Sequence, residues 1–289
     1  MLVKSLENHF SWVTALAVMD EGSLVSTSSD KTLNIWDLKH GETMKKFKTQ
    51  GSVWAVLCMG NYLITGGENE QKSIKIWSSE DGFLIRSLDG HEKTVRALAM
   101  LKSGHLASGS QDKEIKLWNL NDGSLIKSLK GHAGWVTCLV ALENGYLASG
   151  SQDKSIMIWN VDEESRIRKL TGHKKAVITL HLLENGCLAS GSLDKTIKIW
   201  SIDEGVLVRT LEGHKDGIWS LACLSNGCLA SGSSDKTIKI WNVGEGTLIK
   251  TLNGNSDCIW ALLSIDDEHL ASGCGDGSVK IWDLKKLEG

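Results

Sequence analysis

Short runs of alternating apolar and polar residues divide the chain into predicted β-strands, and residues 131–171 show the pattern clearly. Alternation with a period of two is typical of a half-buried strand. Four such runs follow one another in this stretch, in the order GHAGWVTCLVAL, YLASGS, SIMIWNV and RIRKL. The Asn-Gly pair in ENGY separates the first two runs and is a strong hairpin signal. The pattern therefore predicts four short antiparallel strands joined by tight turns.

The same unit repeats along the whole chain. Seven tryptophans follow one another at intervals of 41 residues: Trp36, Trp77, Trp118, Trp159, Trp200, Trp241 and Trp282. Seven periods account for 287 of the 289 residues, so we expect one domain over residues 1–289, without a linker or a second domain. A four-stranded sheet of this size cannot bury both of its faces alone. Repeated sheets that stack radially cover one another, and the repeat favours this arrangement.

Two motifs in these units resemble those of the WD-repeat family of β-propellers. Gly-His recurs at 90–91, 131–132, 172–173 and 213–214, and Ile-Trp followed by Asp, Asn or Ser ends nearly every unit. The period also lies in the range of that family. The resemblance covers the whole chain. It implies an all-β fold, a seven-bladed β-propeller of four-stranded antiparallel blades.

The N-terminal residues predict how the ring closes. LVKSLENHFSWVT at 2–14 matches LIKSLKGHAGWVT at 125–137, so residues 2–6 should form an outer strand that precedes any complete blade. The last unit has inner strands within 259–283 but no room for an outer strand. We expect the N-terminal strand to complete the last blade, which removes both free edges.

A histidine, a serine, an aspartate and a tryptophan recur at fixed spacing, and the first three are the residue types of a hydrolase triad. The set occurs as His9, Ser26, Asp30 and Trp36; His91, Ser108, Asp112 and Trp118; His132, Ser149, Asp153 and Trp159; His173, Ser190, Asp194 and Trp200; and His214, Ser231, Asp235 and Trp241. Five copies favour a structural hydrogen-bond network, because a buried Asp that accepts bonds from a turn and from a His holds a blade rigid. The family resemblance implies the same role.

Two units lack the full set. The second has Gln50 and Thr65 at the His and Ser positions, with ENEQ in place of the Asp turn, and the seventh has Asn255 for His. We predict that these two blades are less rigid than the others.

Residues that differ between the repeats are the candidates for function. The resemblance implies that two positions at the start of each innermost strand, and one before the turn Asp, face the top of the ring. All five tryptophans outside the 41-residue series fall at the first two positions. Since Trp and Arg are enriched in binding hot spots, we predict a partner-binding surface that comprises Trp12, Trp54, Arg96, Trp135, Ile178, Leu193, Trp219 and Trp260. The alternative is that these tryptophans only pack on neighbouring blades near the channel.

Composition and charge exclude several classes of protein. A net charge of −3 gives no general reason to expect nucleic acid or an anionic membrane as partner. No apolar run approaches the ~20 residues that span a bilayer, and MLVKSLENHF lacks the apolar centre of a secretory signal. The seven cysteines form no CxxC pair, which fits reduced thiols in the cytoplasm, with the nucleus as the alternative. Phosphate-loop, HExxH and GxSxG motifs are absent, so we expect no enzyme activity, cofactor or metal.

The charge of the ligand stays open at the level of the sequence. Lysines in the top-side turns would steer an acidic or phosphorylated segment towards this surface, and Arg96 would pair with a carboxylate or a phosphate. These lysines are Lys31, Lys113, Lys154, Lys174, Lys175, Lys195, Lys215 and Lys236. Glu68 and Glu70, with cation–π binding at Trp12 and Trp54, would instead suit a basic or methylated side chain.

The expected function is that of a non-enzymatic scaffold, monomeric on its own, that binds a peptide or a partner-protein segment around the channel mouth. The alternative is a sensor or substrate-recruitment domain of a larger protein, such as a ubiquitin-ligase receptor or a nucleotide-binding signalling protein.

Overall fold

The computed structural model describes residues 1–68, 73–225 and 227–285. These residues form seven sheets, each of four antiparallel strands, with β1 in the sheet that also contains the last three strands. Each sheet is one blade, and we number the blades one to seven in chain order. Glu70, and with it part of the ENEQ segment, lies outside the described residues.

Each blade runs from an innermost strand to an outer strand. The innermost strands are β2 (Val13–Val18), β6 (Ser52–Met59), β10 (Val95–Met100), β14 (Val136–Ala141), β18 (Val177–Leu182), β22 (Ile218–Cys223) and β26 (Ile259–Ser264). The second strands are β3 (Leu24–Ser28), β7 (Tyr62–Glu68), β11 (Leu106–Ser110), β15 (Leu147–Ser151), β19 (Leu188–Ser192), β23 (Cys228–Ser233) and β27 (His269–Cys274).

The third strands are β4 (Thr32–Asp37), β8 (Ile74–Ser78), β12 (Glu114–Trp118), β16 (Ser155–Asn160), β20 (Ile197–Ser201), β24 (Ile238–Asn242) and β28 (Ser278–Asp283). The outer strands are β1 (Leu2–Glu7), β5 (Glu42–Lys48), β9 (Leu84–Leu88), β13 (Leu125–Lys130), β17 (Ser165–Thr171), β21 (Val206–Leu211) and β25 (Thr247–Leu252). The prediction of seven four-stranded blades is confirmed.

The innermost strands form a continuous ring. Each contacts the innermost strand of the next blade, and β2 contacts β26, so blade one follows blade seven without a gap. The N-terminal strand closes the ring as predicted, because β1 pairs with β28 in the order β1-β28-β27-β26. The pairing places Leu6 opposite Val279, and Met1 and Asp283 exchange backbone hydrogen bonds of 2.7 and 2.8 Å.

The core lies between neighbouring blades. A glycine of the second strand faces the buried Val or Ile that begins the innermost strand of the next blade. A Cβ atom at Gly109, for example, would lie only 2.5 Å from Cγ1 of Val136. The repeated Ser-Gly-Ser sequence is therefore required by the close approach of the blades.

In at least six blades, a cation on the outer strand ties the blade to the next one. Six such residues, spaced 41 apart in the sequence, donate to backbone carbonyls of the turn between the third and outer strands of the following blade: Lys4, Lys45, Arg86, Lys127, Arg168 and Arg209. Lys4 reaches from the closing strand to the carbonyl of Leu38 at 2.9 Å, so the closure of the ring uses the same contact. These inter-blade clamps were not recognised in the sequence analysis.

The described part of the chain contains no helix with the length and apolar character needed to cross a membrane.

Candidate functional site

Successive loops lie at opposite ends of the ring because the strands of each blade are antiparallel. We call the end that carries the loops before the innermost strands, and the turns after the second strands, the top face. All the residues of the predicted partner-binding surface belong to these loops and turns or to the adjoining start of an innermost strand.

Every innermost strand has a β-bulge at its top end. In each pairing with the second strand, the register skips the residue that follows the buried Val or Ile. The skipped residues are Thr14, Trp54, Arg96, Thr137, Ile178, Trp219 and Trp260. Simple alternation along a strand would direct these side chains opposite to the buried Val or Ile that precedes each of them. The bulge interrupts that alternation and re-aims the side chain that it carries.

Four tryptophans from consecutive blades form one group, which we call the tryptophan cluster: Trp12, Trp54, Trp219 and Trp260. Trp260 lies at the centre, with its ring centroid 4.9 Å from that of Trp12 in a stacked arrangement and 4.3 Å from that of Trp219. The Trp54 ring meets Trp260 edge-on at 6.3 Å. Such contacts stabilise aromatic groups beyond the burial of their area. The residues come from blades six, seven, one and two, so the cluster exists only because the ring closes.

The members of the cluster differ in exposure. The Trp12 side chain is 43% exposed, whereas Trp54, Trp219 and Trp260 are half-buried. Nε1 of Trp219 donates to Oγ of Ser234 at 2.6 Å. Nε1 of Trp260 is buried and has no hydrogen-bond partner among the described residues. Packing across blades thus explains part of the cluster, and Trp12 presents apolar surface to the solvent.

Arg96 adjoins the cluster. Its guanidinium carbon lies 3.9 Å from the centroid of the Trp54 ring, which is a close cation–π contact. The described part of the chain gives this guanidinium no hydrogen-bond partner, and its nitrogens are not among the fully buried polar atoms. Burial lowers the pKa of Arg96 to about 10, and the charge of Glu68 opposes this change. Arg96 is therefore a charged, half-buried group at neutral pH.

Two threonines occupy the bulge in blades one and four and link these blades to the next ones. Oγ1 of Thr14 donates to the carbonyl of Val53, and Oγ1 of Thr137 donates to that of Val177 at 2.5 Å. These two positions therefore contribute contacts within the ring.

The remaining predicted positions lie in blades four and five. Trp135 is 39% exposed and makes no ring contact with another described aromatic side chain. Ile178 and Leu193 of blade five are half-buried. Leu193 lies against Gly217 of blade six, where an added Cβ atom would be 2.8 Å from Cδ2 of Leu193.

The structure brings together the side chains of all five predicted His, Ser, Asp and Trp sets. In each set, Nδ1 of His lies 2.7–3.2 Å from Oδ2 of Asp, and Nε2 lies 2.7–2.8 Å from Oγ of Ser. The Trp indole N–H donates to the same Oγ at 2.7–2.8 Å. Because a carboxylate only accepts, Nδ1 carries the proton, and Nε2 of a neutral ring accepts from the serine hydroxyl.

These hydrogen bonds run through the interior of the blade. Ser149, like the equivalent serines of the other four sets, has no exposed surface, so a substrate would have no access to its hydroxyl. Burial alone would raise the pKa of Asp112, but hydrogen bonds from His91 and from two backbone amides lower it to about 2. The pKa values of Asp153, Asp194 and Asp235 are also lowered, because hydrogen bonds outweigh burial at each of them. The folded blade therefore stabilises the ionised form of these carboxylates.

Blades two and seven keep only part of this network. In blade two, Oγ1 of Thr65 accepts from Nε1 of Trp77 at 2.8 Å, and Gln50 is exposed. In blade seven, Trp282 donates to Ser272 at 2.9 Å, but Nδ2 of Asn255 is buried without a described partner. The bridge from the loop to the serine is thus incomplete in both blades.

Other reactive groups do not form a second candidate site. Among the described residues, no group of three or more His, Cys, Asp or Glu side chains is placed to hold a metal ion. No disulfide bond joins the cysteines of the described residues. Burial raises the pKa of Cys58 and Cys138 to about 12, and that of Cys223 and Cys274 to about 11, so these side chains are thiols and not nucleophilic thiolates.

The fold defines the class of protein as a closed seven-bladed β-propeller. The family model described as "WD domain, G-beta repeat" matches more than half of the chain, in six segments: residues 1–37, 82–119, 123–160, 164–201, 205–242 and 246–283. The chain belongs to the WD-repeat family, whose members are in general non-enzymatic interaction scaffolds with protein partners. The six segments leave out most of the second repeat, which lacks His and Ser of the network.

Curated relatives match shorter stretches. "Nuclear distribution protein nudF 2" of Penicillium rubens is 30% identical over 124 residues, which cover 35% of this chain and 26% of the relative. "Lissencephaly-1 homolog" of Caenorhabditis briggsae is 29% identical over 106 residues, which cover 35% of this chain and 27% of the relative. "WD repeat-containing protein pop1" of Schizosaccharomyces pombe is 28% identical over 91 residues, 31% of this chain and 11% of the relative. The chain spans about a quarter or less of the length of these relatives.

Proposed function

We propose that the protein is a non-enzymatic scaffold that binds a peptide, or a segment of a partner protein, across the top face. The tryptophan cluster is the observation that supports this function best. Four large aromatic side chains meet at the channel mouth, and Trp12 among them is 43% exposed. Exposed apolar surface of this kind usually marks an interaction site.

Rigidity supports the same proposal. Trp54 and Trp219 both contact Trp260, and the hydrogen bond from Trp219 to Ser234 also fixes the Trp219 ring. Side chains that are already ordered lose little conformational entropy when a ligand binds, so more of the contact energy appears as affinity. The cluster would therefore act as a preformed set of anchors.

A pull-down from a cell extract tests this function. The bait would be the full chain, with alanine at all four positions of the tryptophan cluster in the variant. The control is Phe83→Ala, because Phe83 is 72% exposed but lies in a turn at the opposite end of the ring. We expect partners to be retained by the wild type and the control and lost from the variant. Retention of the same partners by a folded variant would refute the proposal.

The single substitution Trp12→Ala keeps this test informative if the fourfold variant does not fold. Trp12 is the most exposed member of the cluster, so its loss should lower the melting temperature less than the loss of any other member. Undiminished binding by this variant and by Trp219→Ala would also refute the proposal.

A role as the sensor or substrate-recruitment domain of a larger protein is the second candidate. It is favoured by the length of the relatives, of which the matched segments cover only 26%, 27% and 11%. The complete reading frame of the gene tests it, because additional domains are expected in that case and their absence would refute it.

We also propose a cytoplasmic location, because no disulfide bond joins the cysteines of the described residues and reduced cysteines are typical of a reducing compartment. Microscopy of a fluorescent fusion would check this, and a signal confined to a secretory organelle would contradict it.

A further inference from the structure

The Arg96 guanidinium is the charged group of the top face that lies directly against the tryptophan cluster. From its position we propose that the top-face ligand is an acidic peptide, in which a side-chain carboxylate binds Arg96 while a neighbouring apolar side chain packs on the cluster. This inference rests on the proposed function, since it specifies the ligand of the same site.

The cation–π contact favours an acidic ligand over a basic one, a choice that the sequence left open. Arg96 lies 3.9 Å from the Trp54 ring centroid, so this aromatic face already holds a cation from the protein itself. Trp12 and Trp260 stack on each other with only 18° between their planes, which covers one face of each ring. On the Trp54 ring, a basic or methylated side chain would have to displace Arg96 or approach its positive charge, and both are unfavourable.

The hydrogen-bond donors of Arg96 also favour an acidic ligand. A guanidinium has five N–H donors in a planar fork that matches a carboxylate. The described residues satisfy none of them, and the side chain is half-buried. Desolvated charges without a partner are costly in proteins. A ligand carboxylate would supply two parallel hydrogen bonds and the opposite charge.

The charges around Arg96 favour a carboxylate over a phosphate. Among the described residues, one guanidinium adjoins the cluster, and the nearby charge of Glu68 acts on it. A dianionic phosphate is usually bound by a group of arginines, and Glu68 would repel it more strongly than it would repel a single carboxylate. Exposed lysines of the top turns, such as Lys31 and Lys113, add a positive field that would guide an acidic segment to the surface.

A random-peptide phage library tests the inference, with the full-length wild type, the Trp219→Ala/Trp260→Ala double variant and Arg96→Gln as targets. Peptides that the wild type selects would be synthesised with amidated C-termini, so that only side-chain carboxylates remain, and titrated by calorimetry. The matched charge control is Lys169→Gln, because Lys169 is exposed on the outer strand of blade four and has no described partner. Melting curves would show that each variant is folded.

We expect the wild type to select peptides with Asp or Glu next to an aromatic or aliphatic residue. Arg96→Gln should weaken their binding roughly tenfold or more, and Arg96→Lys should weaken it less, because the charge remains without the bidentate geometry. Lys169→Gln should leave binding unchanged. Added salt should weaken binding to the wild type more than binding to Arg96→Gln.

The possible failures are distinguishable. If the double tryptophan variant binds the selected peptides as well as the wild type, the proposed function itself is wrong. If binding requires the tryptophans but the peptides are basic, or Arg96→Gln binds equally well, the function stands and the acidic ligand is wrong. If phosphoserine in place of the selected Asp or Glu tightens binding more than tenfold, the site is a phosphate receptor and the choice of a carboxylate is wrong.

Discussion

Ser149 shows how much the hydrogen bonds of a single buried residue contribute to the stability of a blade. Its hydroxyl oxygen accepts from Nε1 of Trp159 at 2.8 Å and lies 2.7 Å from Nε2 of His132, with no exposed surface. Ser149→Ala would leave a buried donor and a buried acceptor unpaired. We expect the free energy of unfolding to fall by roughly 1–3 kcal/mol, measured by urea denaturation.

The comparison for this substitution is Ser103→Ala on an exposed turn, which should change the free energy of unfolding by less than about 0.5 kcal/mol. Equal losses in the two variants would show that the network does not stabilise the blade.

The aspartates of the network predict how stability depends on pH. The pKa of Asp112 is lowered from 3.8 to about 2 in the folded protein, so its carboxylate stabilises the fold fully above pH 4. This contribution is lost as the pH falls from about 4 towards 2. We expect the melting temperature to drop steeply in this range, and Asp112→Asn to reduce the slope. An unchanged slope in the variant would contradict the assignment.

At the scale of strands and blades, the inter-blade clamps make a separate contribution. Nζ of Lys127 donates to the carbonyl of Asp162 in the next blade at 2.6 Å. Lys127→Met keeps the aliphatic part of the side chain but removes this bond. We expect a loss of about 1 kcal/mol in the free energy of unfolding and faster amide exchange in β13 and in the turn near Asp162. Lys169→Met is the control, and an equal effect there would mean that the clamp contributes nothing.

Blades two and seven should open more readily than blades four to six. Neither has the histidine that connects the top loop to the buried serine or threonine, and Asn255 leaves a buried amide nitrogen unpaired. Hydrogen–deuterium exchange should therefore be faster in β7 and β27 than in β15, β19 and β23. Equal protection in all these strands would contradict the prediction.

At the scale of the whole molecule, the sequence predicts the ring better than it predicts the site. The spacing of residues such as Trp36 and Trp77 determines the number of blades, and the match of residues 2–14 to 125–137 predicts the closing strand. Lys4, Lys45 and the other clamp residues also recur every 41 residues, so the same search would have found them.

The contacts within the site depend on the closure of the ring, which brings together residues that are far apart in the sequence. The 41-residue repeat alone could therefore not predict them. Trp12 and Trp260 are far apart in the sequence, and only the completed ring stacks their rings at 4.9 Å. The position of Arg96 over Trp54 depends on β-bulges in two neighbouring blades. Comparison of the repeats shows which positions vary, but it does not predict which of their side chains meet.

If the tryptophan cluster binds the partner, substitutions within it must raise the dissociation constant of a retained partner segment. Titration calorimetry would compare the wild type with Trp219→Ala, Trp260→Ala and the control Phe83→Ala, each checked by thermal melting. We predict a loss of roughly 2 kcal/mol or more in binding free energy for each tryptophan variant, about 30-fold in the dissociation constant, and none for the control. Wild-type affinity in both tryptophan variants would show that the tryptophan cluster does not bind the partner.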